Sequence, residues 1–213
     1  MNKDFNNTNG YSYVDLDLPS GTLWATCNVG ADKPSDFGLY FQWGDVQGYT
    51  QDQIRYGKKK FASDWSDYKW LRNDAFTNYR RTFVKYRNSG IVLDILDLED
   101  DAANVNMGGS WHIPTPSQIQ ELIDNTTSDW IKMDNVNGRL FTSKKNGKSI
   151  FIPAAGLAWD GSVANSGDYG NVWSSMLSSG NVDYGQYLSF YSGDASLSVN
   201  DRYYGLSVRG VIG

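Results

Sequence analysis

Aromatic residues and glycines are both abundant in this chain of 213 residues. Trp 8, Tyr 14 and Phe 9 make 31 aromatic side chains, about 15% of the residues, and there are 22 glycines. Glycine is thus more frequent than its usual share of roughly 7%. Aromatic residues favour strands, and glycines permit tight turns. The composition therefore predicts short strands, many turns and a contact surface rather than long helices.

The overall balance of residues excludes several classes of protein. Hydrophobic residues are 40% and charged residues 20% of the chain, which argues against a disordered tail. No apolar run approaches the roughly 18 residues that a membrane helix needs, so we expect no membrane span. The net charge of −5 makes nucleic acid an unexpected partner. Residues 1–7 carry no apolar segment, so we expect no signal peptide on this chain.

The chain has few of the residues on which catalytic sites and metal sites usually depend. Cys27 is the only cysteine and His112 the only histidine, which forbids an internal disulfide and a cysteine-based zinc cluster. Small and apolar neighbours suggest that Cys27 is a buried apolar side chain. His112 lies between Trp111 and Ile113, where a structural role is favoured. We expect no catalysis and no cofactor.

An acidic run in the middle of the chain has two interpretations. Its carboxylates offer the oxygen ligands that Ca²⁺ prefers, but no glycine stands at a fixed place among them. The favoured interpretation is the solvated start of a helix over residues 96–107, since acidic residues suit a helix N-terminus. The residues of the run are Asp94, Asp97, Glu99, Asp100 and Asp101.

Local signals place a few elements. Thr115, Pro116 and Gln118 have the spacing of a helix start with a capping box, proline being favoured at the first helical position. Asn-Gly pairs at 137–138 and 146–147 predict hairpin turns. Strands are predicted over residues 11–18, 22–29, 38–44, 130–133, 140–143 and 149–153.

Residues 45–90 differ from the rest of the chain. This segment holds ten Lys or Arg against five Asp, a charge of +5, while the remainder carries −10. We interpret it as a long insertion with some helix. Three roles stay open: packing or assembly with a fibre or subunit partner, ligand contact, and nucleic-acid binding. Its aromatic residues are Tyr49, Tyr56, Phe61, Trp65, Tyr68, Trp70, Phe76, Tyr79, Phe83 and Tyr86.

Residues 173–213 are dominated by a few residue types. Ser, Gly, Tyr, Asp and Asn supply 25 of these 41 positions, a mixture typical of antibody loops. Leu188 and Phe190, like Leu197 and Val199, alternate with polar or tyrosine residues, so the intervening side chains are predicted to face outward. The predicted ligand-binding residues are Asn181, Asp183, Tyr184, Tyr187, Ser189, Tyr191, Asp194, Ser196, Asn200, Asp201 and Tyr203.

Six segments occur in an order that points to a family. The chain resembles C-type-lectin-fold proteins of the formylglycine-generating-enzyme-like branch, and more narrowly the variable proteins of diversity-generating retroelements. The resemblance implies one α+β domain over residues 1–213, with a C-type lectin core, the 45–90 insertion and a variable region at 173–213. The segments are residues 22–31 (TLWATCNVGA), 38–44 (GLYFQWG), 100–115 (DDAANVNMGGSWHIPT), 149–156 (SIFIPAAG), 172–175 (VWSS) and 202–211 (RYYGLSVRGV).

The resemblance also implies a function. Members occur in phage tail fibres and on bacterial surfaces, and adenine-directed mutagenesis rewrites chosen codons near their C-terminus. We therefore expect a non-catalytic binding protein for a host-cell surface protein or glycan. Two alternatives stay open: a non-diversified structural or adhesive module, and a degenerate enzyme of the same fold. Within the scaffold motifs, Trp24, Trp111 and Trp173 are predicted to anchor the core.

Overall fold

Short strands dominate the computed structural model, which describes residues 6–72, 81–86 and 94–213. About 40% of the chain is strand and 14% helix, so the coarse expectation of many strands and few helices is confirmed. The strands are β1 (Asn6–Thr8), β2 (Tyr11–Asp15), β3 (Leu23–Asn28), β4 (Tyr40–Phe41), β5 (Thr126–Met133), β6 (Val136–Ser143), β7 (Ser149–Pro153), β8 (Leu157–Trp159), β9 (Ser162–Ala164), β10 (Gly170–Leu177), β11 (Tyr184–Phe190), β12 (Ala195–Asp201), β13 (Leu206–Ser207) and β14 (Arg209–Ile212).

The helices are few and short. No helix among the described residues is long and apolar enough to cross a membrane. The helices are α1 (Gln51–Arg55), α2 (Ala102–Met107) and α3 (Pro116–Asn125), with 3₁₀ turns at Trp65–Asp67 and Leu98–Asp100.

The strands form four sheets. The sheets have the strand orders β1-β2-β3-β14, β12-β11-β10-β13-β4, β5-β6-β7 and β8-β9. The last strand, β14, returns antiparallel to β3 and places Val211 opposite Trp24. The C-terminal strands therefore join two sheets: β13 lies inside the five-stranded one and β14 at the edge of the four-stranded one.

The start of α3 forms as the sequence predicts. The Thr115 hydroxyl accepts a hydrogen bond from the Gln118 amide at 3.2 Å, and the Gln118 side chain accepts one from the Thr115 amide at 2.9 Å. Pro116 takes the first turn, where its missing N–H costs nothing. Ile119 and Leu122 are buried on the sheet, so α3 covers one face of β10, β11 and β12.

The predicted helix over residues 96–107 is wrong in extent. A 3₁₀ turn at Leu98–Asp100 precedes the separate helix α2. The break comes at Asp101, whose carboxylate accepts a hydrogen bond from the Asn104 amide at 2.9 Å and so caps a new helix.

One of the two predicted hairpin turns is also misplaced. The β5–β6 turn is formed by Asp134 and Asn135, both with positive φ, while Asn137 and Gly138 lie inside β6. Asp and Asn tolerate this conformation, which two-residue hairpins require. Gly138 serves a different purpose, because a Cβ there would collide with the carbonyl of Ile152.

The five-stranded sheet is covered on both faces. On one face Trp173 packs with Trp43, Trp111 and Tyr187 in a single apolar cluster. On the other, Val172, Leu188 and Phe190 pack with Trp24, Ile119 and Leu122. Trp24, Trp111 and Trp173 are each at most 1% exposed, which confirms them as core anchors.

Two tryptophans lock β10 to the segment around β4. The Trp173 indole N–H donates to the Phe41 carbonyl at 2.7 Å, and the Trp43 indole N–H donates to the Ser174 carbonyl at 2.9 Å. Each indole is thus both packed and hydrogen-bonded, as a buried tryptophan requires.

Replacing Trp173 by Ala is expected to destabilise the fold by about 3–5 kcal/mol, because it opens a cavity and removes the indole's hydrogen bond to the Phe41 carbonyl. Urea unfolding followed by circular dichroism measures this. The matched control is Trp159→Ala, which removes an indole that is 38% exposed and should cost about 1 kcal/mol or less. Equal losses for the two variants would contradict the assignment.

Candidate binding surface

The register of β11 and β12 decides which predicted residues share a face. Tyr187 pairs with Ser198, Leu188 with Leu197, and Ser189 with Ser196. Directly paired residues lie on the same face of a sheet. Tyr187, Ser189, Ser196 and Asn200 therefore lie on one face, and Tyr184 and Asp201 lie on the other with Leu188.

Tyr187 is not a surface residue, which corrects the prediction. It is 9% exposed, and its ring packs edge-on against Trp173 with centroids 6.0 Å apart. The alternation of β11 predicts one buried and one open face. Because the tryptophan cluster covers the second face, the tyrosine on that side belongs to the core.

Tyr203 is also buried, contrary to the prediction. It is 7% exposed and packs against Trp65 at 5.0 Å between centroids, in a cluster with Tyr68 and Phe83. All three neighbours belong to the 45–90 segment. The segment's composition gave no sign of which part of the scaffold it would cover, so its effect on Tyr203 was not foreseeable.

The remaining predicted residues surround the outer strand β12 and its two ends. We call β12, with residues 178–183 and 191–194 beside its ends, the β12 edge. The exposed members of the predicted set are Asn181, Tyr191, Asp194 and Ser196. The half-buried members are Asp183, Tyr184, Ser189, Asn200 and Asp201. The structure thus brings these residues to one margin of the sheet rather than to one flat face.

At one end of the β12 edge, Tyr191 forms part of an aromatic cavity of about 180 Å³. Its ring leans against Tyr169, with centroids 5.6 Å apart and planes inclined by 32°. Arg139 donates from Nη2 to the Tyr191 carbonyl at 2.8 Å and holds this turn to β6. The cavity is lined by Trp130, Asn137, Gly167, Asp168, Tyr169, Tyr191 and Ser192.

Sequence reasoning missed Trp130, Asp168 and Tyr169 as cavity residues. All three precede residue 173 and fall outside the stretch whose composition indicated a surface. The pairing of Gly170 with Phe190 brings Tyr169 beside Tyr191, whereas Trp130 comes from β5 of another sheet. No local pattern in the sequence records either placement.

The other end of the β12 edge is joined to the 45–90 segment. Arg81 pairs with Asp183 at 2.7 Å, and its guanidinium carbon lies 4.9 Å from the centroid of the Trp65 ring. Burial and the charge of Asp183 raise the pKa of Asp201, against the lowering effect of Arg81. The charges at this end therefore come both from the 45–90 segment, through Arg81, and from the C-terminal residues Asp183 and Asp201.

Most of the described aromatic residues of the 45–90 segment pack against the rest of the protein. Phe61, Trp65, Tyr68, Phe83 and Tyr86 are buried. Buried rings cannot stack on bases, so these contacts favour the packing role over nucleic-acid binding. Tyr56 differs, being 78% exposed. Phe76, Tyr79, Arg80 and Arg87 lie outside the described residues.

Lys85 occupies the centre of the acidic run. Its ammonium lies 2.8 Å from Asp97, 2.9 Å from Glu99 and 2.5 Å from Asp100. Among the described residues, these three carboxylates are the group that lies close enough together to hold a metal ion. Burial acts to lower the pKa of Lys85, but these hydrogen bonds outweigh it and raise the pKa. The carboxylates therefore have an internal cation, which favours a structural role over calcium binding.

The lone cysteine and histidine do not form a site with each other. Cys27 is half-buried rather than buried, and it lines a cavity of about 210 Å³ whose wall also includes Tyr11 and Met107. His112 exchanges backbone hydrogen bonds with Val211, N to O at 3.0 Å, which ties it to β14. The structural role expected of His112 agrees with this pairing.

No protein-family model matches the chain, and no curated protein and no solved structure matches it either. The family resemblance therefore rests on the sequence motifs given above.

Replacing Tyr187 by Ala is expected to cost about 3 kcal/mol of unfolding free energy, because the ring fills the core against Trp173. The matched change Tyr191→Ala should cost about 1 kcal/mol or less, since that ring is 43% exposed. Chemical denaturation of both variants measures the difference. A stability loss larger for Tyr191→Ala would show that the two rings have been assigned to the wrong environments.

Replacing Asp100 by Asn is expected to lower stability by about 1.5–3 kcal/mol at pH 7, because charge-assisted bonds to Lys85 and Tyr86 are weakened. Burial acts to raise the pKa of Asp100, but those bonds hold the pKa below its usual value. The contribution is therefore present above the unfolded pKa near 3.9 and is lost as the pH falls through the native value.

Thermal unfolding of Asp100→Asn between pH 3 and pH 7 measures this. Glu99→Gln is the control, because that carboxylate is 78% exposed at the side chain and should matter little. Added Ca²⁺ or chelator should leave the melting temperature of the unaltered chain unchanged. A rise of many degrees with Ca²⁺ would instead identify the cluster as a metal site.

Proposed function

We propose that this chain is a non-catalytic binding protein that presents the β12 edge to a macromolecule on a cell surface. The observation that carries the proposal is the placement of Tyr191, Asp194, Ser196 and Asn200 around an outer strand whose inner neighbour is packed on both faces. Such side chains can change while the core remains intact, because exposed substitutions usually alter stability by less than about 0.5 kcal/mol.

The chemistry of these residues suits recognition. Tyrosine offers a large contact area at a small cost in conformational entropy, and Ser, Asn and Asp supply adaptable hydrogen bonds. A wrong partner leaves those polar groups unpaired, which gives selectivity. Tyr191 lies beside Tyr169 at the aromatic cavity, so we expect the main anchoring contact with a ligand at that end of the β12 edge.

We further propose a C-type lectin fold with retroelement-directed variation, as the resemblance implies. The scaffold motifs support this, because their segments supply the buried strands β3, β7, β10, β13 and β14. The ligand would be a host-cell protein or glycan, and the protein would act on a phage tail fibre or a bacterial surface. Since Tyr187 and Tyr203 are buried, the proposed variable set is the exposed part of the β12 edge.

A non-diversified adhesive module is the main alternative, and the DNA beside the gene separates the two. A near-identical template repeat together with a reverse transcriptase gene would support diversification. Flanking DNA without either would favour the fixed module. The binding role itself would stand in both cases.

A randomised library at the β12 edge is expected to yield binders. The five varied positions would be Asn181, Tyr191, Asp194, Ser196 and Asn200, displayed and selected against immobilised unrelated proteins and glycans. We expect most members to stay folded and specific binders to emerge, because the varied side chains lie on a rigid margin.

The matched control library varies five exposed positions on and beside α1, away from the β12 edge. Both libraries use the same codons and the same targets. Binders from the control alone, or unfolding of most edge variants, would contradict the proposed function. The control positions are Gln51, Asp52, Arg55, Tyr56 and Lys58.

A further inference from the structure

In β12, every second residue points its backbone N–H and C=O groups away from the sheet. Arg202 N donates to the Asp183 carbonyl at 3.1 Å, and Tyr191 N donates to the Asp194 carbonyl at 3.0 Å, so these two bonds bracket the β11–β12 pair. In an antiparallel ladder every second residue points its N–H and C=O at the neighbouring strand. The backbone N–H and C=O groups of residues 196, 198 and 200 therefore point toward β11. Those of Leu197 and Val199 point away from the sheet.

These outward groups are available. Among the described residues, no hydrogen bond involves the backbone N–H or C=O of Leu197 or Val199 other than those possible within the sheet, and β12 has no neighbour on that side. The Val199 side chain is 44% exposed and Leu197 is half-buried. Apolar side chains and free backbone groups thus coincide on one strand.

Two other outer strands, β5 and β4, are protected in ways that β12 is not. The long outer strand β5 carries Asp129 and Lys132, charges that discourage pairing with another strand. The short outer strand β4 is bridged by the 45–90 segment, since Tyr40 N donates to the Tyr49 carbonyl at 2.9 Å. β12 holds no Lys, Arg or Pro, and its single charge is Asp201 at its end.

We infer that the β12 edge accepts an extended, basic segment of a protein partner as an added strand. The inference rests on the proposed function and names the kind of ligand for the same surface. Strand addition gains affinity from main-chain hydrogen bonds and specificity from alternate side chains. Apolar side chains of the segment would lie beside Leu197 and Val199.

Charge selects the partner. After Lys148 the only basic residues are Arg202 and Arg209, and both are fully buried. The exposed charged side chains of that stretch beside the β12 edge are Asp194 and, in the cavity with Tyr191, Asp168, so a segment with Lys or Arg is attracted. A second copy of this chain, with its own net charge of −5, is repelled and is not the expected occupant.

Hydrogen exchange tests the edge in the free protein. The amides of Leu197 and Val199 should exchange much faster than those of Ser196 and Ser198, which face β11. Equal protection of all four amides would overturn the inference, because the edge would then already be covered by a second copy or another segment.

Peptide binding tests the occupant. The probe is an acetylated eight-residue peptide of alternating Val and Lys, and the control is the same peptide N-methylated at every second residue so that one strand edge loses its N–H donors. We expect the probe to slow exchange at Leu197 and Val199. Methylation on the pairing edge should weaken binding about tenfold, as the loss of one or two hydrogen bonds predicts.

The variants Val199→Pro and Val199→Ala separate backbone from side chain. Proline removes an outward N–H that β11 does not use, whereas alanine keeps it. Val199→Pro should weaken the probe about tenfold relative to Val199→Ala. Binding that is equal for both variants and for both peptides would be mere charge attraction and would overturn the inference.

The outcome for strand addition is independent of the outcome for the proposed function. Binders selected from the β12-edge library can be measured with Val199→Pro added. If they keep their affinity while the peptide probe fails to bind, recognition uses side chains only and the strand inference alone is wrong. If no binders are selected, the proposed function fails whatever the peptide does.

Discussion

The reciprocal hydrogen bonds of Trp173 and Trp43 are the interaction on which the rest of the structure depends. Each indole donates to a carbonyl beside the other tryptophan, so β10 and the segment at β4 are held together where their rings fill the core. With α3 on the opposite face, β10 and β11 are packed on both faces and leave only partly exposed side chains such as Tyr184 and Ser189. Among the described residues of this sheet, the exposed side chains of the predicted set therefore lie at its β12 margin.

This double covering decides which tyrosines are structural. Tyr187 closes the tryptophan cluster, and Tyr203 closes the cluster that the 45–90 segment forms at the far end of β12. Tyr191 lies beyond both and meets solvent beside Tyr169. The 45–90 segment thus borders the β12 edge, through the pair of Arg81 with Asp183 and through the packing of Trp65 on Tyr203.

Much of the local structure could be predicted from the sequence, because its causes are local. The capping box at Thr115 depends on three neighbouring residues, and the alternation around Leu188 correctly separates the two faces of β11. The burial of Tyr187 could not be predicted, because alternation says which residues share a face and not what covers it. Trp130 lines the cavity from β5, which belongs to a different sheet from the strand β11 that precedes Tyr191, and this leaves no local signal.

The central claim is that β11, packed on both faces, supports a β12 edge whose exposed side chains can be substituted without loss of folding. A deep mutational scan of residues 181–203, scored by the amount of folded protein on the cell surface, tests it most directly. The account predicts that Tyr191, Asp194 and Ser196 accept most substitutions while Tyr187 and Tyr203 accept few. Tolerance at Tyr187 and Tyr203 equal to that at Tyr191 would contradict it.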